Sequence, residues 1–307
     1  MITYILRRCV QAIPVLFGIT IFTFLIAHLV PGDPVQAFAG DKQLSPELAA
    51  QIRHQYGLDK PLWQQYLTYM DDLVHGDMGA GLHNKRPVTD TIREAIGPTL
   101  QLTLAGLMVA LTIGVTFGVL AAIYHNTWID SIAMVVALLG VSLPVFYLGL
   151  IMLFIFSFRL SWFPSSGSDG WRSLVLPAVT IGIASSAYIA RLVRSSMLEV
   201  LHQDYTQTAR AKGLTERSVI IRHALKNALI PTVTYFGIQL AGLLTGAVVI
   251  ETVFSRPGLG RVAITAIGNR DYPLIQGTVL VTALIYLAVS LVVDLSYGFL
   301  DPRIRYD

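Results

Sequence analysis

Charge is what this sequence has least of. Of its 307 residues only 13% are Asp, Glu, Lys or Arg, while 54% are apolar; a soluble domain carries about 25% charged residues. A chain so poor in charge cannot cover soluble-sized cores with polar surface, and a mean hydropathy of +0.61 excludes a disordered chain as well. Cysteine is nearly absent. Cys9 stands alone, which excludes an intrachain disulfide and any cysteine-based metal cluster. There is no GxxxxGK(S/T) phosphate loop, so the chain does not bind ATP in the P-loop manner. Internal repeats and low-complexity tracts are also missing. His54, His75 and His83 lack metal-ligand spacing and read as surface residues. With a net charge of only +3, nothing points to nucleic acid.

What the sequence does have is six long stretches without a single Asp, Glu, Lys or Arg: Cys9–Gly32, Ala95–Ile129, Ser131–Phe158, Ser173–Ala190, Asn227–Ile250 and Tyr272–Val293. A membrane helix needs about 20 predominantly apolar residues, so each stretch supplies one span, and in lipid only helices satisfy the backbone of such a run. The expected fold is therefore all-α and polytopic, with six transmembrane helices. His125-Asn126-Thr127-Trp128 reads as an interfacial turn. Arg7 and Arg8 before the first run, and Ala37-Phe38-Ala39 after it, imitate a secretion signal. The run is too long for a signal core, and Pro31-Gly32-Asp33-Pro34 separates it from that site, so a retained anchor is expected. Pro144 should kink the third span, because it removes a helical hydrogen bond. Gly114-xxx-Gly118 and Gly242-xxx-Gly246 are small-xxx-small patterns that read as close helix contacts.

Orientation follows from basic residues near the span ends. With the N-terminus inside, the inner segments hold Arg7, Arg8, the seven basic residues from Arg191 to Lys226, Arg303 and Arg305; the two short outer loops hold only Arg159, Arg172, Arg256, Arg261 and Arg270. Both termini are then cytoplasmic. The expected division is an anchor helix at 1–32, an extracytoplasmic helical segment at 33–94, a five-span core at 95–299 and a tail at 300–307. In the extracytoplasmic segment, Ser45-Pro46-Glu47 opens a helix that Gly57 closes, and Pro61 opens a second that Gly76 ends. Val88, Ile92 and Ile96 then recur at helical spacing into the second span. This segment reads either as a small cap on the helix ends or as a docking surface.

The inner loop from Arg191 to Lys226 carries the strongest local signal. Asp204 can cap a helix with Gln207 as its reciprocal partner, and Gly213 supplies a left-handed stop. Eight residues, Tyr205 to Lys212, rise only about 12 Å, so this is a short rod. Tyr205, Thr208, Ala209 and Lys212 share one face, and small residues at its middle admit a partner closely. Arg210 and Lys212 suit the helix C-terminus and can meet acidic groups. Thr215 can cap the next helix. The local pattern leaves a second reading open, a cationic helix lying on anionic lipid.

DYTQTARAKGLTERSVIIRHALKNALIP resembles the cytoplasmic "EAA" signature of membrane subunits of binding-protein-dependent ABC importers. ILRRCVQAIPVLFGITIFTFLIAHLVPGDP, VVIETVFSRPGLGR, NRDYPLIQG and DPRIRY resemble the branch that serves dipeptides, oligopeptides, nickel or glutathione, and specifically its first permease subunit. The resemblance runs the length of the chain. It implies the type I importer permease fold and a place in the bacterial or archaeal cytoplasmic membrane. It also implies a homologous second permease, two cytoplasmic ATPases that bind ATP and Mg, and an extracytoplasmic substrate-binding protein. This chain would then be non-catalytic and hold no cofactor of its own. The short helix, about 204–213, would be the coupling helix that docks on an ATPase. Ala209 and Gly213 match the family positions, with Asp204, Tyr205, Thr208, Arg210, Ala211 and Lys212 around them. The leading acid of the signature is replaced by Gln207.

On the outer side Pro257-Gly258-Leu259-Gly260 reads as a re-entrant or looped turn. By resemblance it helps receive substrate, with Glu251 and Arg256 beside it as binding-protein or outer-gate contacts. An ion-coupled carrier would place ionisable groups within its spans. Only Glu251 and Asp294 come near, both at span ends, and Asp294 reads as a structural partner of Arg191 or Arg194. An ATP-driven importer subunit for di- or oligopeptides is thus the leading expectation. Nickel chelates or glutathione through the same assembly are the alternative, and an ion-coupled carrier is the remote one. An intramembrane enzyme would need an activated nucleophile pair, which the scattered Ser and His do not form.

Overall fold

The computed structural model describes residues 2–29, 35, 45–55 and 57–300. The Pro31–Pro34 separator, the triplet at 37–39 and the closing DPRIRY lie outside them. The described chain is helical, and its β-structure is limited to one bridge between Ala80 and Pro87. Among the described residues, each of the six charge-free stretches is largely helical. The first is α1 (Ile2–Leu29). Two short helices, α2 (Pro46–Gln55) and α3 (Leu62–Val74), follow, with Gly57 and Gly76 left-handed behind them at φ +64° and +81°. The Ser45 hydroxyl accepts a hydrogen bond from the Leu48 amide at 3.3 Å, as an N-cap should.

α4 (Val88–Ile123) takes the second stretch and ends at the expected turn, where Asn126 is left-handed at φ 60°. The third stretch departs from expectation. α5 (Trp128–Ser142) and α6 (Val145–Met152, running on as a wide π-helical segment to Arg159) meet at 102°, so Pro144 breaks the span rather than kinking it. The cause is local: the proline ring pushes the residue before it out of the helical region, and Leu143 is extended at φ −94°, ψ 135°. α7 (Arg172–Leu201) and the inner-loop helix α8 (Asp204–Ala211) come next. Helical turns at Glu216–Ser218, Val219–Ala224 (π-helical) and Leu225–Ala228 lead into α9 (Ile230–Val253). α10 (Leu259–Gly268) and α11 (Tyr272–Leu300) complete the described chain. Four helices, α1, α4, α7 and α11, are long and apolar enough to cross a membrane, and the bent α5–α6 pair is a fifth candidate.

The chain divides into two compact units, residues 1–98 with 257–288, and residues 99–256 with 289–307; the division falls at Pro98, inside α4. The first unit has a core of Val88, Ile92, Ala95, Leu259, Ala266, Leu274 and Val281. The second is centred on Leu102, Leu107, Leu176, Ile181, Leu243, Ala247, Ile250 and Phe254. Another of its clusters joins Ala110, Ile189, Val193, Met197, Ala224 and Ala228 near α8. On α1, Val10, Ile13, Phe17 and Phe22 are exposed, a surface that only lipid or an apolar partner satisfies.

Of the two glycine pairs, only one makes the expected close contact within the chain. A Cβ on Gly118 would lie 2.7 Å from the Ala190 carbonyl oxygen, and one on Gly114 would lie 2.9 Å from that of Ser186. α4 and α7 therefore meet backbone to backbone, as small-xxx-small patterns allow. Gly242 faces open space, and Gly246 meets only Ile181 at 3.4 Å. Gly118→Ala is accordingly expected to lower stability by about 1–3 kcal/mol, because the obstruction is backbone, whereas Gly242→Ala should be nearly neutral. Thermal unfolding midpoints of the two variants in detergent check the contrast.

Candidate functional site

α8 begins one residue earlier than a capping Asp204 would require. Its N-cap is Gln203, without a side-chain cap bond. Asp204 is the first helical residue, where its charge still complements the dipole. Gln207 turns back to donate to the His202 carbonyl at 3.3 Å, so the reciprocal capping box does not form. The other end is as expected. Gly213 is left-handed at φ +78°, its amide donates to Arg210 O at 2.9 Å, and the Leu214 amide donates to Ala209 O at 3.4 Å. This is the paired Schellman arrangement that a C′ glycine permits. Thr215 occupies the N-cap position of the following turn, again without a side-chain bond.

The face predicted to carry Tyr205, Thr208, Ala209 and Lys212 is divided. Ala209 turns inward at 6% exposure with Thr206 at 0%, and these small side chains set α8 tightly against its own chain. Asp204, Tyr205, Thr208, Ala211 and Lys212 remain exposed. Arg210 is committed within the chain. Its Nη2 and Nε donate to the two Glu216 carboxylate oxygens at 2.8 and 3.1 Å, and its Nη1 donates to the Leu201 carbonyl at 3.2 Å. The guanidinium holds the Glu216 carboxyl below its usual pKa, chiefly through these hydrogen bonds. Arg210 therefore anchors the helix instead of presenting a free cation.

These anchors tie α8 to the helices on both sides. Thr206 Oγ1 donates to the Val200 carbonyl at 2.9 Å and Arg210 reaches Leu201, both in the last turn of α7. Asn227 Nδ2 donates to the Tyr205 hydroxyl at 3.0 Å, just before α9. α8 is thus tied both to α7 and to the turn that leads into α9. α7 is in turn bonded to α5 through Arg194, whose Nε and Nη2 each reach an Asp130 carboxylate oxygen at 2.7 Å. His125 Nδ1 lies 3.3 Å from the same carboxylate, and the Asn126 amide donates to it at 3.2 Å. Asp130 is buried on α5. The partner of Arg194 is therefore Asp130, not the expected Asp294. The signal was present, since Asp130 is the single charge between the second and third apolar runs.

The predicted outer residues are mostly not surface residues. Glu251 is 0% exposed and Arg256 1%. Thr99 Oγ1 donates to Glu251 Oε1 at 2.5 Å, and Arg256 Nη2 donates to Gln101 Oε1 at 3.1 Å. Burial draws the Arg256 guanidinium below its usual pKa while Glu251 draws it back up. Gly258 and Gly260 are buried as well, leaving Pro257 exposed. In this conformation the Glu251 and Arg256 side chains are buried and hydrogen-bonded within the chain. The expected re-entrant or looped turn leads into a ten-residue helix, α10, which starts directly after Gly258.

The described chain is helical, with four or five helices long and apolar enough to cross a membrane and a short rod bonded to two flanking helices, the architecture of a polytopic membrane protein. The particular family is identified by sequence: the chain belongs to the binding-protein-dependent transport system inner membrane components, whose family model matches residues 114–306, while the model of their N-terminal region matches residues 1–103. It is 41% identical over 310 residues, covering all of both chains, to the glutathione transport system permease protein GsiC of Escherichia coli K12. It is 42% identical over 334 residues, again covering all of both, to the dipeptide transport system permease protein DppB of Alkalihalophilus pseudofirmus. In fold it is similar to a chain of the MetNI methionine ABC transporter in an inward-facing conformation, at a TM-score of 0.59, with 20% identity and coverage of 69% of this chain and 97% of that one. The chain is thus a permease subunit of a binding-protein-dependent ABC importer and a multi-pass bacterial inner-membrane protein.

Proposed function

We propose that this subunit forms, with a homologous second permease, the translocation pathway for short peptides, and that α8 is the coupling helix for one of two cytoplasmic ATPases. The observation that carries the reading is the bonding of α8 to both neighbours, through Thr206 and Arg210 to α7 and through Tyr205 to Asn227. A helix meant to lie passively on lipid has no need of such anchors. Asp204, Thr208, Ala211 and Lys212 form the docking face, and Ala209, Arg210 and Gly213 hold it in position. Both termini lie in the cytoplasm, and a substrate-binding protein docks on the opposite side. Closure of the ATPases on ATP and Mg moves α8, and the attached helices turn the pathway towards the binding protein; reset after hydrolysis opens it to the cytoplasm.

Short peptides as substrate are favoured by full-length similarity at nearly equal identity to a dipeptide permease and to a glutathione permease, since glutathione is itself a tripeptide. Proteoliposomes provide the test. The complete assembly with its binding protein should take up labelled dipeptide or glutathione only with ATP on the ATPase side, and uptake should be insensitive to ionophores. Uptake by this chain alone, or its loss when ion gradients collapse, would overturn the reading.

A further inference from the structure

A cavity of about 190 Å³ lies within the first unit, between the end of α1, the helix α3 and the start of α11. It is far from α8 in sequence, and the transport reading makes no use of it. Its size limits its occupant. An apolar cavity of about 150 Å³ holds one benzene, so this space suits a single ring or one side chain and not a whole peptide.

The walls are largely aromatic. Phe24 is buried, and its ring lies 4.1 Å from that of His28, which in turn lies 5.4 Å from Tyr272. Tyr69 stacks on Phe24 at 6.4 Å. His28 Nδ1 lies 2.8 Å from the Phe24 carbonyl oxygen and Nε2 3.1 Å from Gln65 Oε1; both are acceptors, and a neutral ring donates to one of them. It offers the cavity a ring face.

Two polar groups of the wall are left over. The Tyr69 hydroxyl is buried without a hydrogen-bond partner, a costly state for a phenol. Asp72, three residues on and so on the same face of α3, is exposed at the mouth of the cavity, and its carboxylate makes no hydrogen bond or ion pair among the described residues. The lining holds two further charges: Asp77, whose Oδ1 accepts the Gly79 amide at 2.8 Å, and Lys60. The Asp72 carboxylate thus stands unpaired at this cavity beside aromatic faces that attract cations.

We propose that this cavity binds a small organic ammonium ion carrying one ring-sized apolar group, with the ammonium between the Asp72 carboxylate and the Tyr69 hydroxyl and the apolar group against Phe24 and Tyr272. A free amine and the terminal residue of a short peptide present the same chemistry, and the size of the cavity admits only that terminal part of a peptide.

The test uses the complete importer in lipid nanodiscs and ligand-observed saturation-transfer NMR, with 2-phenylethylammonium as probe and 2-phenylethanol as its uncharged counterpart. A phenylalanine-led dipeptide and its N-acetylated form distinguish the peptide source. Saturable binding of the amine is expected, weakened about tenfold by Asp72→Asn and several-fold by Tyr69→Phe, while Lys60→Gln leaves it as tight or tighter. The alcohol should bind more weakly and ignore Asp72→Asn. Both key substitutions are nearly isosteric, and unchanged thermal midpoints would verify that the variants fold. No saturable amine binding, equal binding of the alcohol, or indifference of the amine to Asp72→Asn in folded protein would overturn the proposal.

Discussion

Gly213→Val is expected to reduce substrate uptake about tenfold while the assembled ATPases keep hydrolysing ATP. The reasoning is confined to the backbone. Gly213 sits at φ +78°, and a Cβ there would meet nothing within 4 Å, so valine brings no clash. It brings only the left-handed conformation, which costs an L-residue about 1–2 kcal/mol and a β-branched one at least as much. That cost falls on the turn that sets α8 against the run into α9. It reduces the population in which Arg210 and Tyr205 hold the rod in register, and a tenfold change in population corresponds to about 1.4 kcal/mol. Gly213→Asn is the control, since asparagine enters the left-handed region readily, and it should retain most uptake. Parallel measurement of ATP hydrolysis and uptake in proteoliposomes decides the matter. A valine variant that transports at the wild-type rate would remove Gly213 from the coupling account.

The second large effect is expected at Arg194. Removing one partner of a buried, hydrogen-bonded ion pair leaves the other charge uncompensated, at a cost of about 3–5 kcal/mol. Asp130 is buried and takes both of its strong bonds from Arg194 at 2.7 Å. The guanidinium itself reaches solvent, with 27% of the side chain exposed, so the lower end of that range applies. Arg194→Met should therefore lower the thermal midpoint clearly. Adding Asp130→Asn should recover part of the loss, because the orphaned charge is then gone. Arg191→Met, which removes only a cation lying 5.8 Å over the Tyr188 ring, should shift the midpoint little. Equal midpoints for the Arg191 and Arg194 variants would contradict the assignment.

Much of this was legible in the sequence because the membrane reduces the problem to charge placement. Among the described residues the six charge-free runs are largely helical. Gly57, Gly76 and Gly213 announced their left-handed stops through the one property of glycine that no neighbour supplies. The failures share a cause. Asp204 was read as a cap from local spacing alone, but the turn His202–Gln203 is set by α7, whose last carbonyls take the Thr206 and Arg210 side chains. The inward turn of Ala209 depends on what α8 leans on, and its own eight residues do not encode that. Pro144 signalled an interruption, but not whether the chain would bend gently or turn by 102°. The resemblance makes Glu251 and Arg256 outer contacts, and their residue types do not announce that they are buried. Their burial depends on Thr99 and Gln101, about 150 residues away in the chain. Asp130 was the one avoidable miss, a lone acid between two apolar runs.

The central claim is that the exposed face of α8 meets the motor, and site-directed cross-linking tests it most directly. With Cys9, the chain's single cysteine, changed to serine, Thr208→Cys places a thiol on that face, and Ser165→Cys places one in the loop before α7, on the opposite side of the membrane in the proposed topology. In the assembled importer, a short bifunctional reagent should join the Thr208→Cys protein to an ATPase subunit and the Ser165→Cys protein to none. Capture of the ATPase from position 165, or failure at 208 in an assembly that still transports, would contradict the account.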